Sequence, residues 1–81
     1  MPEIPLNLDG TGMRIGIAVS TFNESVTGGL LDGARQALAS AGVDDPTVVE
    51  APGAIELPLL AKVLIEAGHD AVVALGAVIL G

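Results

Sequence analysis

Residues 13–20 read MRIGIAVS, and this stretch decides the fold. After Arg14 its side chains are apolar or small on both faces of an extended chain, which is typical of a central strand in a parallel sheet. Such a strand needs a packed layer on each side of the sheet. The neighbouring segments must therefore supply helices to both faces.

Helical and extended segments alternate after this strand. Apolar residues recur at helical spacings between Val26 and Ala41, just before a glycine that can end a helix. The segments that follow are predicted as a strand at 47–50, a helix at about 55–67 and a strand at 71–75. The order β-α-β-α-β with short links predicts an α/β fold with a parallel sheet and right-handed crossovers.

The length and net charge of the chain exclude several classes of function. The chain has 81 residues and carries three basic against ten acidic side chains, a net charge of −7. One small domain fits this length. We expect no nucleic-acid partner and no binding to an anionic membrane surface, because both bind clustered Lys or Arg. We also expect no membrane span, because the longest apolar run is shorter than the roughly 20 residues that cross a bilayer. Without cysteine there is no disulfide and no thiolate metal site, which suits the cytoplasm.

The two ends of the chain differ in character. Residues 1–12 are rich in proline and glycine and are predicted to form an extended N-terminal arm. The apolar run at 71–81 has no charge, capping residue or following helix, and as a terminus it would form an exposed hydrophobic edge. We therefore expect residues 13–81 to be the first part of a longer α/β domain.

A ligand site is predicted where the strands end. Open α/β sheets bind ligands beyond the carboxyl ends of their strands. The segments predicted to meet there are 20–23, 51–56 and 76–79. They offer backbone amides, one aromatic ring and one carboxylate. None of the three basic residues lies in these loops, so the phosphate of a ligand would need a clamp from elsewhere.

Each candidate contact residue has a structural alternative. Phe22, the sole aromatic residue, could stack on a planar heterocycle or could plug its loop onto the sheet. Asn23 could touch a ligand or only cap the first helix through its side-chain oxygen. Gly53 permits close approach to the unbonded amides at the start of the second helix, where Glu56 could accept ligand hydrogen bonds or only complement the helix dipole. His69 lies at the opposite edge and is expected to be a solvated loop residue.

At these loops the chain resembles the lumazine synthase family. The matching stretches are RIGIAVS and TFNE at 14–24, LLDGA at 30–34, VEAPGAIELP at 49–58 and DAVVALGAVI at 70–79. The similarity runs in one register from about Leu8 to Gly81. It implies a three-layer α/β/α fold with a flavodoxin-like parallel sheet, assembled into pentamers or pentamer-based shells with active sites between subunits.

The resemblance also implies a function in riboflavin biosynthesis. The family condenses 5-amino-6-(D-ribitylamino)uracil with 3,4-dihydroxy-2-butanone 4-phosphate to give 6,7-dimethyl-8-ribityllumazine, phosphate and water, without a metal or cofactor. By similarity Phe22 would stack on the pyrimidine. The substrate-binding residues that the resemblance implies are Phe22, Asn23, Gly53, Ala54, Ile55, Glu56, Ala77, Val78 and Ile79.

Two departures from the family pattern bear on activity. Leu80 stands where the family usually has arginine, and the family's phosphate loop, proton-transferring histidine and later arginine would follow Gly81. His69 does not match that histidine, so no catalytic residue is assigned. We expect the isolated chain to carry the pyrimidine half of a site and to be inactive and improperly assembled. The alternatives are a flavodoxin-like module that binds a flavin or related heterocycle without turnover, and an inactive truncated product.

Overall fold

A computed structural model describes residues 11–77 as three strands and two helices. The strands are β1 (Ile15–Ser20), β2 (Thr47–Ala51) and β3 (Ala71–Leu75), the helices are α1 (Glu24–Ser40) and α2 (Leu57–Glu66), and a short 3-10 turn (Ala54–Glu56) precedes α2. The predicted order of elements is confirmed. Of the predicted arm only residues 11–12 lie within the described range, so the arm stays a prediction.

The 3-10 turn replaces the first turn of the predicted second helix. Pro58 has no amide hydrogen, so it cannot donate to the carbonyl of Ala54 as an α-helix would require. That carbonyl instead accepts from Leu57, three residues on. The regular α-helix therefore begins only at Leu57.

β1 is the middle strand of the sheet. The strand order is β2-β1-β3, and both neighbours run parallel to β1. Ile17 lies opposite Val48 on one side and Val73 on the other. All six residues of β1 are buried, as the prediction of a central strand requires, whereas β2 and β3 are only partly buried.

The two helices lie on opposite faces of the sheet. Ala18 packs against Leu57 and Leu64 of α2. Val19, whose side chain points to the other face, lines a cleft with Thr27 of α1. The topology requires this arrangement. The chain passes from β1 to β2 on one side of β1 and then crosses back to β3 on the other side. Because both crossovers are right-handed and run in opposite directions, their helices lie on opposite faces of the sheet. The three-layer α/β/α prediction is thereby confirmed.

The packing of α2 on the sheet depends on Gly16. A Cβ atom at this position would lie 2.8 Å from Cδ1 of Leu64. Leu64 is itself buried, with 3% of its surface exposed. The helix therefore approaches β1 as closely as a glycine allows.

Both helices end in a Schellman motif, with glycine in the left-handed conformation that the sequence predicts there. Gly42 has a φ of 91°. Its N–H donates to the carbonyl of Ala39 at 3.1 Å, and that of Val43 donates to the carbonyl of Leu38 at 2.8 Å. Gly68, with a φ of 97°, ends α2 through the same pair of bonds.

The buried face of α1 differs from the predicted stripe at its N-terminal end. Val26 and Leu30 are exposed, whereas Thr27 is buried. Successive residues of an α-helix are about 100° apart, so a face centred near Thr27 and Leu38 leaves Val26 at its margin. The first half of α1 therefore presents apolar side chains to the surface.

His69 is buried, so the prediction of a solvated residue is wrong. Its Nδ1 lies 2.7 Å from the carbonyl oxygen of Leu64, and its Nε2 lies 2.9 Å from Oγ1 of Thr47. Because a carbonyl only accepts, Nδ1–H is the donor to Leu64, and in the neutral tautomer that this assigns, Nε2 accepts from the Thr47 hydroxyl. The Schellman turn at Gly68 folds the next residue back against the end of α2, a placement that local sequence does not reveal.

Candidate functional site

The three predicted loops meet at the carboxyl edge of the sheet. The N–H of Thr21 donates to the carbonyl of Ala51 at 2.8 Å, and its hydroxyl reaches the same oxygen at 3.3 Å. Behind β3, a Cβ atom on Gly76 would lie 3.0 Å from Cβ of Ala54 and 2.9 Å from Cδ1 of Leu57. The loop after β2 therefore contacts both of the others.

This edge includes the switch point of the sheet. The chain winds outward from β1 in both directions, and the crevice of such a doubly wound sheet opens beyond the strands where the winding reverses, here β1 and β3. Phe22 follows the first of these strands, and Gly76 and the half-buried Ala77 follow the second. Val78 and Ile79, the remaining predicted contacts after β3, lie outside the described residues.

The ring of Phe22 is open to a partner. It is 51% exposed, so the alternative that it plugs the loop onto the sheet is not supported. The N–H of Phe22 donates to Oγ of Ser20 at 3.2 Å, which ties the residue to the end of β1. A half-exposed aromatic face beside a switch point can stack on a flat ligand.

Asn23 begins α1 in a different way from the predicted side-chain cap. Its backbone is left-handed, with φ 60° and ψ 61°, and its side chain makes no capping bond to a helix amide. Its backbone carbonyl accepts from the N–H groups of Val26 and Thr27 at 3.0 and 3.1 Å, and its Oδ1 accepts from the Ser25 hydroxyl at 3.0 Å. A side-chain cap needs an extended backbone at this position, and asparagine tolerates the left-handed alternative. The proposed ligand contact of Asn23 stays a prediction.

The turn at Ala54–Glu56 presents donors and an acceptor side by side. Among the described residues, the amides of Ala54 and Ile55 have no hydrogen-bond acceptor, as expected for the first amides of a helix. The exposed carboxylate of Glu56 folds back over Gly53, since a Cβ there would lie 3.1 Å from its Oε2. Ile55 is 88% exposed. The turn can therefore donate to carbonyl oxygens and accept from hydroxyl or N–H groups.

The described residues include all three basic residues of the sequence, and none of them lies at this edge. Arg14 precedes β1 at the opposite edge, where its N–H donates to Oδ2 of Asp70 at 2.7 Å. Arg35 lies in the second half of α1, and Lys62 lies on α2, 4.0 Å from the Glu66 carboxylate. A phosphate clamp from outside this set of residues stays a prediction, and the positions of the three basic residues agree with it.

A cleft on the α1 side of the sheet lies beside the Phe22 loop and was not predicted. It is lined by Val19, Ser20, Thr21, Glu24, Thr27, Gly28, Leu31 and Glu50. The pair Gly28 and Gly29 is the sequence feature that could have indicated this cleft. A Cβ atom on either glycine would meet no described atom within 4 Å. The carboxylates of Glu24 and Glu50 would repel a phosphate, so this cleft does not supply the missing clamp.

Residues 11–77 contain neither a candidate membrane span nor a candidate metal site. No helix in this range is long and apolar enough to cross a membrane. No group of three or more His, Cys, Asp or Glu in the same range could hold a metal ion.

Comparison with known proteins shows that the chain is similar to one enzyme family. The family described as 6,7-dimethyl-8-ribityllumazine synthase matches residues 12–81. The synthase of Mycolicibacterium vanbaalenii is 54% identical over 81 residues, which cover 100% of this chain and 50% of that protein. The synthase of Mycolicibacterium paratuberculosis is 52% identical over 100% of this chain and 49% of its own length, and that of Kineococcus radiotolerans is 50% identical over 99% and 48%. The chain spans about half the length of these curated relatives.

Proposed function

The chain belongs to the 6,7-dimethyl-8-ribityllumazine synthase family, and we propose on that premise that it supplies the pyrimidine-binding half of a lumazine synthase active site. The reaction is the condensation of 5-amino-6-(D-ribitylamino)uracil with 3,4-dihydroxy-2-butanone 4-phosphate, a transferase step of riboflavin biosynthesis. The observation that carries the proposal is the carboxyl edge itself. A half-exposed phenylalanine, two amides without an acceptor among residues 11–77 and a carboxylate lie there on loops that contact one another.

Each group has a role that suits its chemistry. Phe22 stacks on the pyrimidine, with Asn23 beside it. The amides of Ala54 and Ile55 donate to carbonyl oxygens of the ring, and Glu56, held over Gly53, accepts from hydroxyls of the ribityl chain. The segment that begins at Ala77 and continues through Val78 and Ile79 lines the other edge of the ring.

These residues promote the reaction by alignment. Holding the amino groups of the pyrimidine against a reactive ketone converts a bimolecular encounter into an intramolecular one, which is worth effective molarities of about 10⁵–10⁸ M in well-oriented systems. Backbone amides and a stacked ring suit this task, because they fix the position of a ligand without taking part in proton transfer. No described residue is assigned as a proton-transfer catalyst.

The butanone phosphate requires a second set of residues. The described edge offers no cation, and its adjoining cleft carries the two carboxylates of Glu24 and Glu50. We therefore place the phosphate clamp and the proton-transferring group outside residues 11–77, in a further segment or a neighbouring subunit.

The assembly and location of the enzyme are part of the same proposal. Apolar side chains at the surface of both helices and of the loops before them favour a homo-oligomer, and the family assignment favours a pentamer or a shell of pentamers. The most exposed of these side chains are Ile55, Leu59, Val63, Phe22, Ile65 and Val26. We propose a cytoplasmic location, which suits the absence of cysteine. A flavin-binding module without turnover is not favoured, because the relatives that match the whole chain are synthases.

Phe22→Ala tests the proposed role of the ring. We expect it to weaken binding of a 6-ribitylaminouracil that lacks the reactive 5-amino group by about 1–3 kcal/mol, roughly 5- to 150-fold, the range seen for base–aromatic stacking. Isothermal titration calorimetry of the intact protein measures the dissociation constant. Gln36→Ala, which shortens an exposed side chain in the second half of α1, away from the edge, is the control. An unchanged dissociation constant for Phe22→Ala would show that the ring does not bind the pyrimidine.

A further inference from the structure

Ser20 is a buried polar residue at the centre of the site, and the proposed function gives it no role. It ends β1 opposite Ala51, and only 1% of its surface is exposed. Its hydroxyl oxygen accepts the N–H of Phe22 at 3.2 Å. A buried hydroxyl that bonds the backbone of the proposed stacking residue is placed to control that residue.

The backbone on either side of Phe22 is held by other bonds. Thr21 is tied to the carbonyl of Ala51 through both its amide and its hydroxyl, at 2.8 and 3.3 Å. Asn23 is held in the left-handed conformation, with its carbonyl bonded to the first amides of α1. The amide of Phe22, between these two residues, donates to Ser20.

The exposed ring needs such a restraint. An apolar ring that is 51% exposed gains free energy by turning onto the sheet, because burial removes apolar surface from water. The amides of Thr21 and Phe22 are both bonded, so the backbone of this short loop has little freedom to carry the ring inward. The bond to Ser20 therefore helps to fix the backbone position from which the Phe22 side chain extends.

We propose that Ser20 is a positioning residue for pyrimidine binding, which acts by fixing the amide of Phe22 so that the ring stays available for stacking. The inference rests on the proposed function, since it requires Phe22 to contact the ligand. Ser20 itself does not touch the ligand. It lowers the cost of ordering the Phe22 loop, and a preordered loop binds more tightly than one that must be ordered on binding.

A double-mutant cycle separates this role from a general contribution to folding. The variants are Ser20→Ala, Phe22→Ala and the double substitution, each titrated calorimetrically with the 6-ribitylaminouracil that lacks the 5-amino group. We expect Ser20→Ala to weaken binding roughly 3- to 10-fold, the effect of one neutral hydrogen bond. In the Phe22→Ala background we expect its effect to fall below about twofold, because the group through which it acts is absent.

Each contrary outcome of the cycle counts against one proposal only, either the positioning role of Ser20 or the stacking contact of Phe22. An equal loss from Ser20→Ala in both backgrounds, or no loss with Phe22 present, overturns the positioning role and leaves the proposed function intact. An unchanged dissociation constant for Phe22→Ala overturns the stacking contact itself. If Ser20→Ala does not fold, Ser20→Cys runs the same cycle, since sulfur keeps the approximate shape but is a weak acceptor. Ser20→Thr retains the hydroxyl oxygen and should restore binding to within about twofold.

Discussion

Replacing Gly16 with alanine is the most direct test of the packing between the sheet and α2. The added Cβ would lie 2.8, 3.1 and 3.2 Å from Cδ1, Cδ2 and Cγ of Leu64. Carbon atoms in favourable contact are about 3.5–4.0 Å apart, so all three approaches are too close. Either the strand or the leucine must move.

Neither side of this contact can move easily. Gly16 lies in the middle strand, opposite Thr47 on one side and Val72 on the other. Leu64 is 3% exposed. Overpacking a core in this way costs about 1–3 kcal/mol. Alanine is favoured over glycine in a strand by about 0.5–1 kcal/mol, so we expect a net loss of about 0.5–2 kcal/mol in the free energy of unfolding.

Urea denaturation followed by far-ultraviolet circular dichroism measures this loss, and a second substitution tests its cause. Leu64→Val removes a methylene, at a cost of about 0.8 kcal/mol, and withdraws the methyl groups from Gly16. In that background Gly16→Ala should be neutral or stabilising, a coupling of at least about 0.5 kcal/mol. Equal losses in both backgrounds, or a Gly16→Ala protein as stable as the parent, would refute the close approach of α2 to β1.

Two further predictions concern other parts of the fold. Gly29→Ala should raise the free energy of unfolding by about 1 kcal/mol, because the position is helical and its Cβ would meet no described atom within 4 Å. A lower free energy of unfolding for this variant in the same denaturation experiment would show that another surface covers this part of α1. Thr47→Val should lower stability by about 1 kcal/mol, because it leaves Nε2 of the buried His69 without its donor. Thr47→Ser keeps the hydroxyl and serves as the control, and equal stabilities of the valine and serine variants would contradict the bond.

Much of the candidate site followed from local pattern. The apolar stretch at 13–20 predicts a central strand, and once the strands are parallel their carboxyl ends must share an edge. The unbonded amides at Ala54 and Ile55 follow from the geometry of any helix start. These features depend on periodicity and chain direction, which can be read from neighbouring residues.

The errors come from local backbone conformation and from contacts between distant segments. Asn23 is typical of a side-chain cap, but its backbone is left-handed and its side-chain oxygen accepts from the Ser25 hydroxyl instead of from a helix amide. His69 stands between a glycine and an aspartate and looks solvated, yet its ring reaches Thr47, 22 residues away in sequence. The cleft beside Gly28 was missed for the same reason, because its walls come from α1 and two strands.

The sequence by itself determined the layers, the parallel sheet and the edge where the loops meet. The spacing of the apolar residues and the short links between segments leave few ways to bury the apolar side chains. Only the tertiary structure decided which groups are available at that edge. The Ser20 hydroxyl and the Glu56 carboxylate make contacts within their own turns, to Phe22 and over Gly53. The exposure of Phe22 and the burial of Ser20 depend on how these turns pack, and the bonds from Thr21 to Ala51 join segments thirty residues apart. Such bonds are set by strand register and close packing, which no local pattern of residues encodes.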